Sequence, residues 1–254
     1  TLPVIVTLSL IYGVENMAQK KAIIRNVPAV ETLGNATVIA SDKTGTLTQN
    51  QMTVDHIWTP AHSFTVTGQG FVNNGQIQLD GKPIKYGTDA DLDLLIRLVA
   101  FNNDTEVEPS KGSARPKILG TPTEASLVIL AQKSGIDTKA YSIKYPRLKE
   151  LPFDSDRKRM TTIHQHDDHT LSICTKGSLS DLLPHCDTIQ ENGKVRPLTE
   201  DDKKAIDDAN RKYASLGLRS IATAYREVPQ ETDKEKQLDG LTIDTAETNL
   251  TFVG

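Results

Sequence analysis

The chain has 254 residues, with 29 Lys and Arg against 33 Asp and Glu, a formal net charge of −4, and 37% hydrophobic and 24% charged residues. A mean hydropathy of −0.38 excludes a polytopic membrane protein as the whole of it, and the mild acidity argues against nucleic acid as the main partner, which needs a surplus of Lys and Arg. Two cysteines, Cys174 and Cys186, exclude a disulfide framework and a multi-Cys zinc site, and read as ordinary thiols of a reducing compartment.

Residues 2–14, LPVIVTLSLIYGV, carry no charge. About 13 residues are too few to cross a bilayer, which takes about 20. Positive charges follow at Lys20, Lys21 and Arg25, the order of a membrane helix emerging on the cytoplasmic side. Both a membrane helix whose first half lies outside this sequence and a buried element of a soluble domain fit the run. Residues 15–25 read as a continuing polar helix, with Pro28 ending it. The β-branched run Thr37-Val38-Ile39-Ala40 predicts a buried parallel strand ending at Ser41-Asp42.

Strands are expected at 56–58 and 63–67, with a hairpin turn at Asn73-Asn74-Gly75. Leu92, Leu94, Leu95, Leu98 and Val99 form one apolar stripe of a helix over 90–102. Residues 103–119 read as a polar loop. A helix follows, capped by Thr121 or Thr123. Strands are predicted at 148–153, 160–166 and 171–175, with Asp167-Asp168 as a turn, and another at 220–225. Helices are predicted at 179–183 and 201–216, the second closed by Gly217. Residues 250–253 read as an apolar strand, and both ends of the sequence as interior to a longer chain.

The chemistry concentrates in Ser41-Asp42-Lys43-Thr44-Gly45-Thr46-Leu47-Thr48. An Asp at the carboxyl end of a parallel strand stands where open α/β sheets bind ligands, and its carboxylate can attack phosphorus to give an acyl phosphate. The Thr-Gly-Thr that follows offers hydroxyls and backbone donors to a phosphate. The same residues also suit a plain surface turn. His164, His166 and His169 beside Asp167 and Asp168 admit either a metal site or a His-rich polar hairpin tip.

The string DKTGTLT resembles the phosphorylation signature of the P-type ATPases, ion pumps with a haloacid-dehalogenase-like phosphorylation domain. Upstream, Leu2-Pro3, Ala22-Ile23-Ile24-Arg25, Pro28 and Val30-Glu31-Thr32-Leu33-Gly34 resemble the family's fourth membrane helix and stalk, and the likeness runs to Thr251-Phe252-Val253-Gly254, closest to the type II branch. The resemblance implies that Asp42 takes the γ-phosphoryl group of ATP. Lys43 and Thr44 would contact the phosphate, with Asp42 and Thr44 supplying part of a Mg²⁺ site.

Gly120-Thr121-Pro122-Thr123-Glu124 resembles the GDPTE motif, with Thr121 in place of Asp, and implies that Glu124 faces the adenine amino group. By the same likeness Phe153 and Lys158, in 152–160, would stack on the base and line the pocket. Lys176 of Thr175-Lys176-Gly177-Ser178 would lie deep in it, and Arg219 of Leu216-Gly217-Leu218-Arg219 would meet the phosphates. An aromatic face, a carboxylate acceptor and cations suit adenine and a triphosphate.

The implied organisation is a partial transmembrane helix (1–14), a stalk (15–36), the start of the phosphorylation domain and a hinge (37–52), a nucleotide-binding domain (53–249) and a return toward the phosphorylation domain (250–254). The expected fold is α+β, an antiparallel sheet of about six or seven strands flanked by helices. The family's TGD loop, distal catalytic Lys and GDGxxND Mg²⁺-binding Asp are missing from the sequence, so this chain alone is expected to bind ATP but not to turn it over. In full length the expectation is an integral membrane pump driving a cation across the membrane, with most of this segment cytoplasmic. Two other functions stay in view. One is a nucleotide-binding module without catalysis. The other is a soluble phosphatase of the dehalogenase type, disfavoured because Thr44 stands where such enzymes commonly carry a second Asp.

Overall fold

The computed structural model describes residues 2–71, 74–108, 116–167 and 169–254, and the backbone alone of Asp167. They form two units, Thr1–Asn50 and Gln51–Gly254.

In the first unit, helix α1 covers Leu2–Gln19 and α2 covers Ala29–Gly34. Helix α1 ends six residues earlier than the polar run predicts. Lys21 takes a left-handed φ of 64°, and the Lys21 and Ala22 amides donate to the carbonyls of Ala18 and Met17 at 2.9 Å each. This is the closing pattern usually built on glycine, and it satisfies carbonyls that the helix leaves over. No described helix is long and apolar enough to cross a membrane.

The expected strand at 37–40 does not form, and Val38 and Ile39 are 83% and 88% exposed. A β-branched run becomes a strand only when another strand takes up its backbone groups. Among the described residues of this unit there is no strand to do so.

The second unit is built on a seven-stranded sheet. Its strands are β7 (Arg147–Asp154), β8 (Arg159–Asp167), β9 (Thr170–Gly177), β10 (Cys186–Glu191), β11 (Lys194–Pro197), β12 (Ala222–Pro229) and β13 (Leu250–Phe252). They lie in the order β11-β10-β13-β12-β9-β8-β7. The expected antiparallel sheet is thus antiparallel except where β13 runs parallel to β10. A four-stranded sheet carries β1 (His56–Trp58), β2 (Ser63–Val66), β3 (Ile77–Leu79) and β4 (Lys82–Pro83). Of the turn expected at 73–75, Asn73 lies outside the described residues, as does Asp168 of the turn expected at 167–168. The predicted loop 103–119 instead holds a strand pair, β5 (Glu106–Glu108) with β6 (Lys117–Leu119), around residues 109–115, which are not described.

Helices α3 (Ala90–Phe101), α4 (Pro122–Lys133) and α5 (Thr138–Lys144) cover one face of the large sheet. All five residues of the predicted α3 stripe are buried, together with Leu127 and Leu130 of α4 and Cys174 of β9. Each such side chain contributes roughly 2 kcal/mol relative to exposure, far more than helix propensity. The other face receives α6 (Leu179–Leu182), α7 (Glu200–Ser215), α8 (Lys234–Gly240) and α9 (Ile243–Ala246). There Ile206 packs on Ala222, Ala224 and Phe252, while Leu241 and Ala246 pack on Ile163, Leu171 and Ile173. Thr121 caps α4 by accepting from the Glu124 amide at 3.2 Å. Thr199 and Asp202 close a reciprocal capping box on α7, which Gly217 ends as expected.

Candidate functional site

Strands β7, β8 and β9 bring three sequence-predicted residues to one end of the sheet. In register, Asp154 stands opposite Arg159, and Arg159 opposite Gly177, with Met160 opposite Lys176 in the next row. Phe153 and Lys158 flank this edge. The turn between β7 and β8 is wound around Asp154. Its carboxylate accepts from the Asp156 and Arg157 amides at 2.9 Å each, and those donors hold its pKa below the usual carboxylate range.

Lys158 completes the turn with a left-handed φ of 51°. Its amide donates to the Asp154 carbonyl at 2.7 Å, and its carbonyl accepts from the Ser178 amide at 3.0 Å. Gly177 is required here, because a Cβ on it would come within 2.6 Å of the Lys158 carbonyl oxygen. The turn therefore leans directly on the end of β9. Phe153 is 63% exposed, so it is not a core residue. The Lys158 ammonium reaches out to 3.9 Å from Asp181.

Lys176 and Glu124 meet as an ion pair at 2.7 Å, with side chains only 11% and 15% exposed. The Glu124 carboxylate also accepts from the Thr105 and Thr121 hydroxyls at 3.2 and 3.4 Å. Lys176 donates to the carbonyl of Asn102 as well. Burial lowers the pKa of Lys176, and the Glu124 charge opposes that shift. Asn102 is a residue that sequence reasoning missed. Its side-chain amide donates to the Met160 and Cys174 carbonyls at 2.8 Å each, tying the end of α3 to β8 and β9 beneath Lys176. Its place just past the last residue of the helix was the available signal. Chemically the arrangement offers an exposed aromatic face, a carboxylate acceptor with a route to solvent, and two lysines. That set suits a flat heteroaromatic ring with an exocyclic donor and an anionic tail.

Arg219 stands apart from that group. It lines a cavity of about 600 Å³ with Thr53, His56, Tyr213 and Phe252, and none of Glu124, Phe153, Lys158 and Lys176 lines it. Thr123, next to Glu124, and Leu179, two residues past Gly177, do border the cavity, so it adjoins the group rather than containing it.

In the first unit, Asp42, Lys43 and Thr44 lie on exposed irregular backbone rather than at the end of a strand. The Asp42 carboxylate accepts from the Thr44 amide at 3.3 Å, Gly45 turns the chain with φ 76°, and the Thr48 amide donates to the Lys43 carbonyl at 3.0 Å. Among the described residues no group of three or more His, Cys, Asp or Glu is placed to hold a metal ion. Of the three histidines read as either a metal site or a polar hairpin tip, His164 lies in the core rather than at the tip, while His166 is partly exposed and His169 exposed. His164 is 3% exposed and stacks on Phe101 with ring centroids 4.8 Å apart, while Tyr145 lies against His166 at 5.7 Å. Burial pushes the pKa of His164 down to about 4, and its Nε2 has no partner.

A family model described as P-type ATPase, cytoplasmic domain N, matches residues 91–254. A calcium-transporting ATPase of Bacillus subtilis is 37% identical over 242 residues, covering 93% of this chain and 27% of that protein. Calcium-transporting ATPase 1 of Bacillus cereus is 36% identical over 253 residues, 100% of this chain and 25% of its own length. The human calcium-transporting ATPase type 2C member 1 is 35% identical over 228 residues, 88% of this chain and 24% of its own. The chain thus spans about a quarter of the length of the curated relatives it matches.

Proposed function

The chain belongs to the P-type ATPase family and carries its cytoplasmic domain N, and on that premise we propose that the Phe153, Lys158, Glu124 and Lys176 group receives the adenine of ATP. The role of this segment is then to deliver the nucleotide in an ATP-driven cation pump. The observation that carries this reading is the partly buried Glu124–Lys176 pair beside an exposed phenylalanine at the same end of the sheet.

Phe153 would stack on the base, which is worth about 1–3 kcal/mol. Glu124 would accept from the exocyclic amine, and Lys176 would keep that carboxylate charged and aimed. Lys158 would lie along the nucleotide, and Arg219, across the adjoining cavity, would meet the phosphates.

The phosphorylated residue is Asp42 in this reading. Similarity at 36% identity over the whole chain, 41–48 included, supports it. The Asp42 carboxylate would attack the γ-phosphorus, the bond to the bridging oxygen would break, and ADP would leave. Mg²⁺ is expected to accompany the triphosphate. Asp42 and Thr44 supply one carboxylate and one carbonyl, which do not make a Mg²⁺ site by themselves.

The test is a titration of this chain with ATP followed by amide NMR. Signals of residues 124, 153 and 176 should move, and Phe153→Ala should weaken binding by about 5- to 150-fold. Shifts confined to the 164–169 hairpin would sink the assignment.

A further inference from the structure

Glu247, which follows α9, belongs to no motif recognised in the sequence, yet it is fully buried. One carboxylate oxygen accepts from the Arg157 guanidinium and from the Thr161 hydroxyl at 2.7 Å. The other accepts from Nε of Arg159 at 2.5 Å. These arginines sit on either side of Lys158. Arg157 also donates to the carbonyl of Pro152, the residue before Phe153, and Arg159 to the carbonyl of Asp181 at 3.1 Å. Arg157 Nε has no acceptor, so its guanidinium is held by Glu247 and Pro152. One carboxylate therefore grips both flanks of the turn that carries Phe153 and Lys158, from about 90 residues away in sequence.

Burying a carboxylate between two guanidiniums is a poor way to gain stability, since well-packed apolar residues commonly do as well. A planar fork held by fixed acceptors does set geometry. We infer that Glu247 is a positioning residue for nucleotide binding, holding the 154–158 turn so that Phe153 and Lys158 stand preorganised for the base. The inference rests on the nucleotide reading above.

The experiment compares ATP affinity and amide exchange in this chain for the wild type, Glu247→Gln, Phe153→Ala and the double variant. Glu247→Gln keeps the shape and removes the charge. It should weaken ATP binding by roughly tenfold, as the loss of a supporting residue does. It should also speed exchange at the Lys158 and Ser178 amides ahead of the rest of β8 and β9. Because Glu247 acts partly through Phe153, the double variant should lose clearly less than the product of the two single losses, the remainder being the share that passes through Lys158. Glu247→Asp, which keeps the charge, should recover part of the affinity.

Should Glu247→Gln fail to fold, Arg157→Lys, which keeps the charge and loses the fork, should give the same pattern. Unchanged affinity and exchange in Glu247→Gln, or a loss that multiplies fully with that of Phe153→Ala, overturns the inference while ATP binding by the wild type stands. A wild type that does not respond to ATP overturns the nucleotide reading itself, and this inference with it.

Discussion

Two carboxylates, Glu124 partly buried and Glu247 fully buried, are each held by cations, yet they are built for opposite ends. Glu124 keeps 15% of its side chain exposed and faces a lysine, and Glu247 keeps none and faces two arginines. Lysine is a compact charge on a rotating stem, and its pKa here is already lowered by burial. It can shift, re-aim or give up a partner when a ligand arrives. The arginine fork is planar and permanently charged, so it fixes whatever it grips. The same pairing of charges therefore yields a contact that a ligand can enter and one that it cannot.

The comparison breaks most readily on stability. Removing one partner of a closed buried pair leaves charge without compensation and costs about 3–5 kcal/mol. Glu247→Ala should lose that much in urea denaturation of this chain. Glu124→Ala, which leaves the Lys176 ammonium its Asn102 carbonyl partner, should lose less, about 1–3 kcal/mol. Equal losses would erase the distinction between the two sites.

His164 sharpens the contrast by showing a buried group with no countercharge, one that meets burial by staying neutral. Its folded pKa of about 4 lies below its ordinary 6.5. The unfolded chain therefore binds the proton first as pH falls. This contribution is fully present above pH 6.5, declines from there to about pH 4, and amounts to roughly 3 kcal/mol. His164→Phe should flatten the stability profile across that window. A wild-type profile with no fall there would contradict an imidazole buried without a countercharge, held through Nδ1 at the Tyr145 carbonyl.

The smallest effect concerns the approach to Glu124. Thr121 both caps α4 and touches the Glu124 carboxylate. Thr121→Ala should cost about 1 kcal/mol of stability through the cap. It should leave the Glu247 cluster unperturbed in amide spectra, since no contact joins them among the described residues.

Helices α3, α4 and α7 were legible from signals within one segment, the apolar stripe Leu92 to Val99, a threonine cap at Thr121 or Thr123, and the closing Gly217, whereas the Thr199–Asp202 capping box was not read. Strands β7, β8, β9 and β12 were legible as short segments set between turn residues, with β-branched residues in β8, β9 and β12 though none in β7. The hairpin β10–β11 was not. Ile189 and Gln190 are buried in succession, and Gln190 is buried only because Asp91 and Tyr225 take up its amide. A partner about 100 residues away leaves no local pattern.

The run at 37–40 misled for the converse reason, since propensity names a strand without supplying its neighbour. At the site, Glu124, Phe153, Lys158 and Lys176 came from resemblance, and Asn102 and Glu247 did not, because their roles exist only through contacts made across the sheet.

The place of β13 has a consequence for the making of the chain. Residues 250–252 fill the slot between β10 and β12. During synthesis, the hairpin β10–β11 and the ladder β7-β8-β9-β12 therefore exist as two separate open-edged pieces until nearly the last residue described here has emerged from the ribosome. Unpaired edges invite pairing with the wrong chain. The three-residue strand Leu-Thr-Phe, among the shortest in the sheet, is thus the closing stitch of its assembly, and substitutions there would be felt first as lost yield of folded protein.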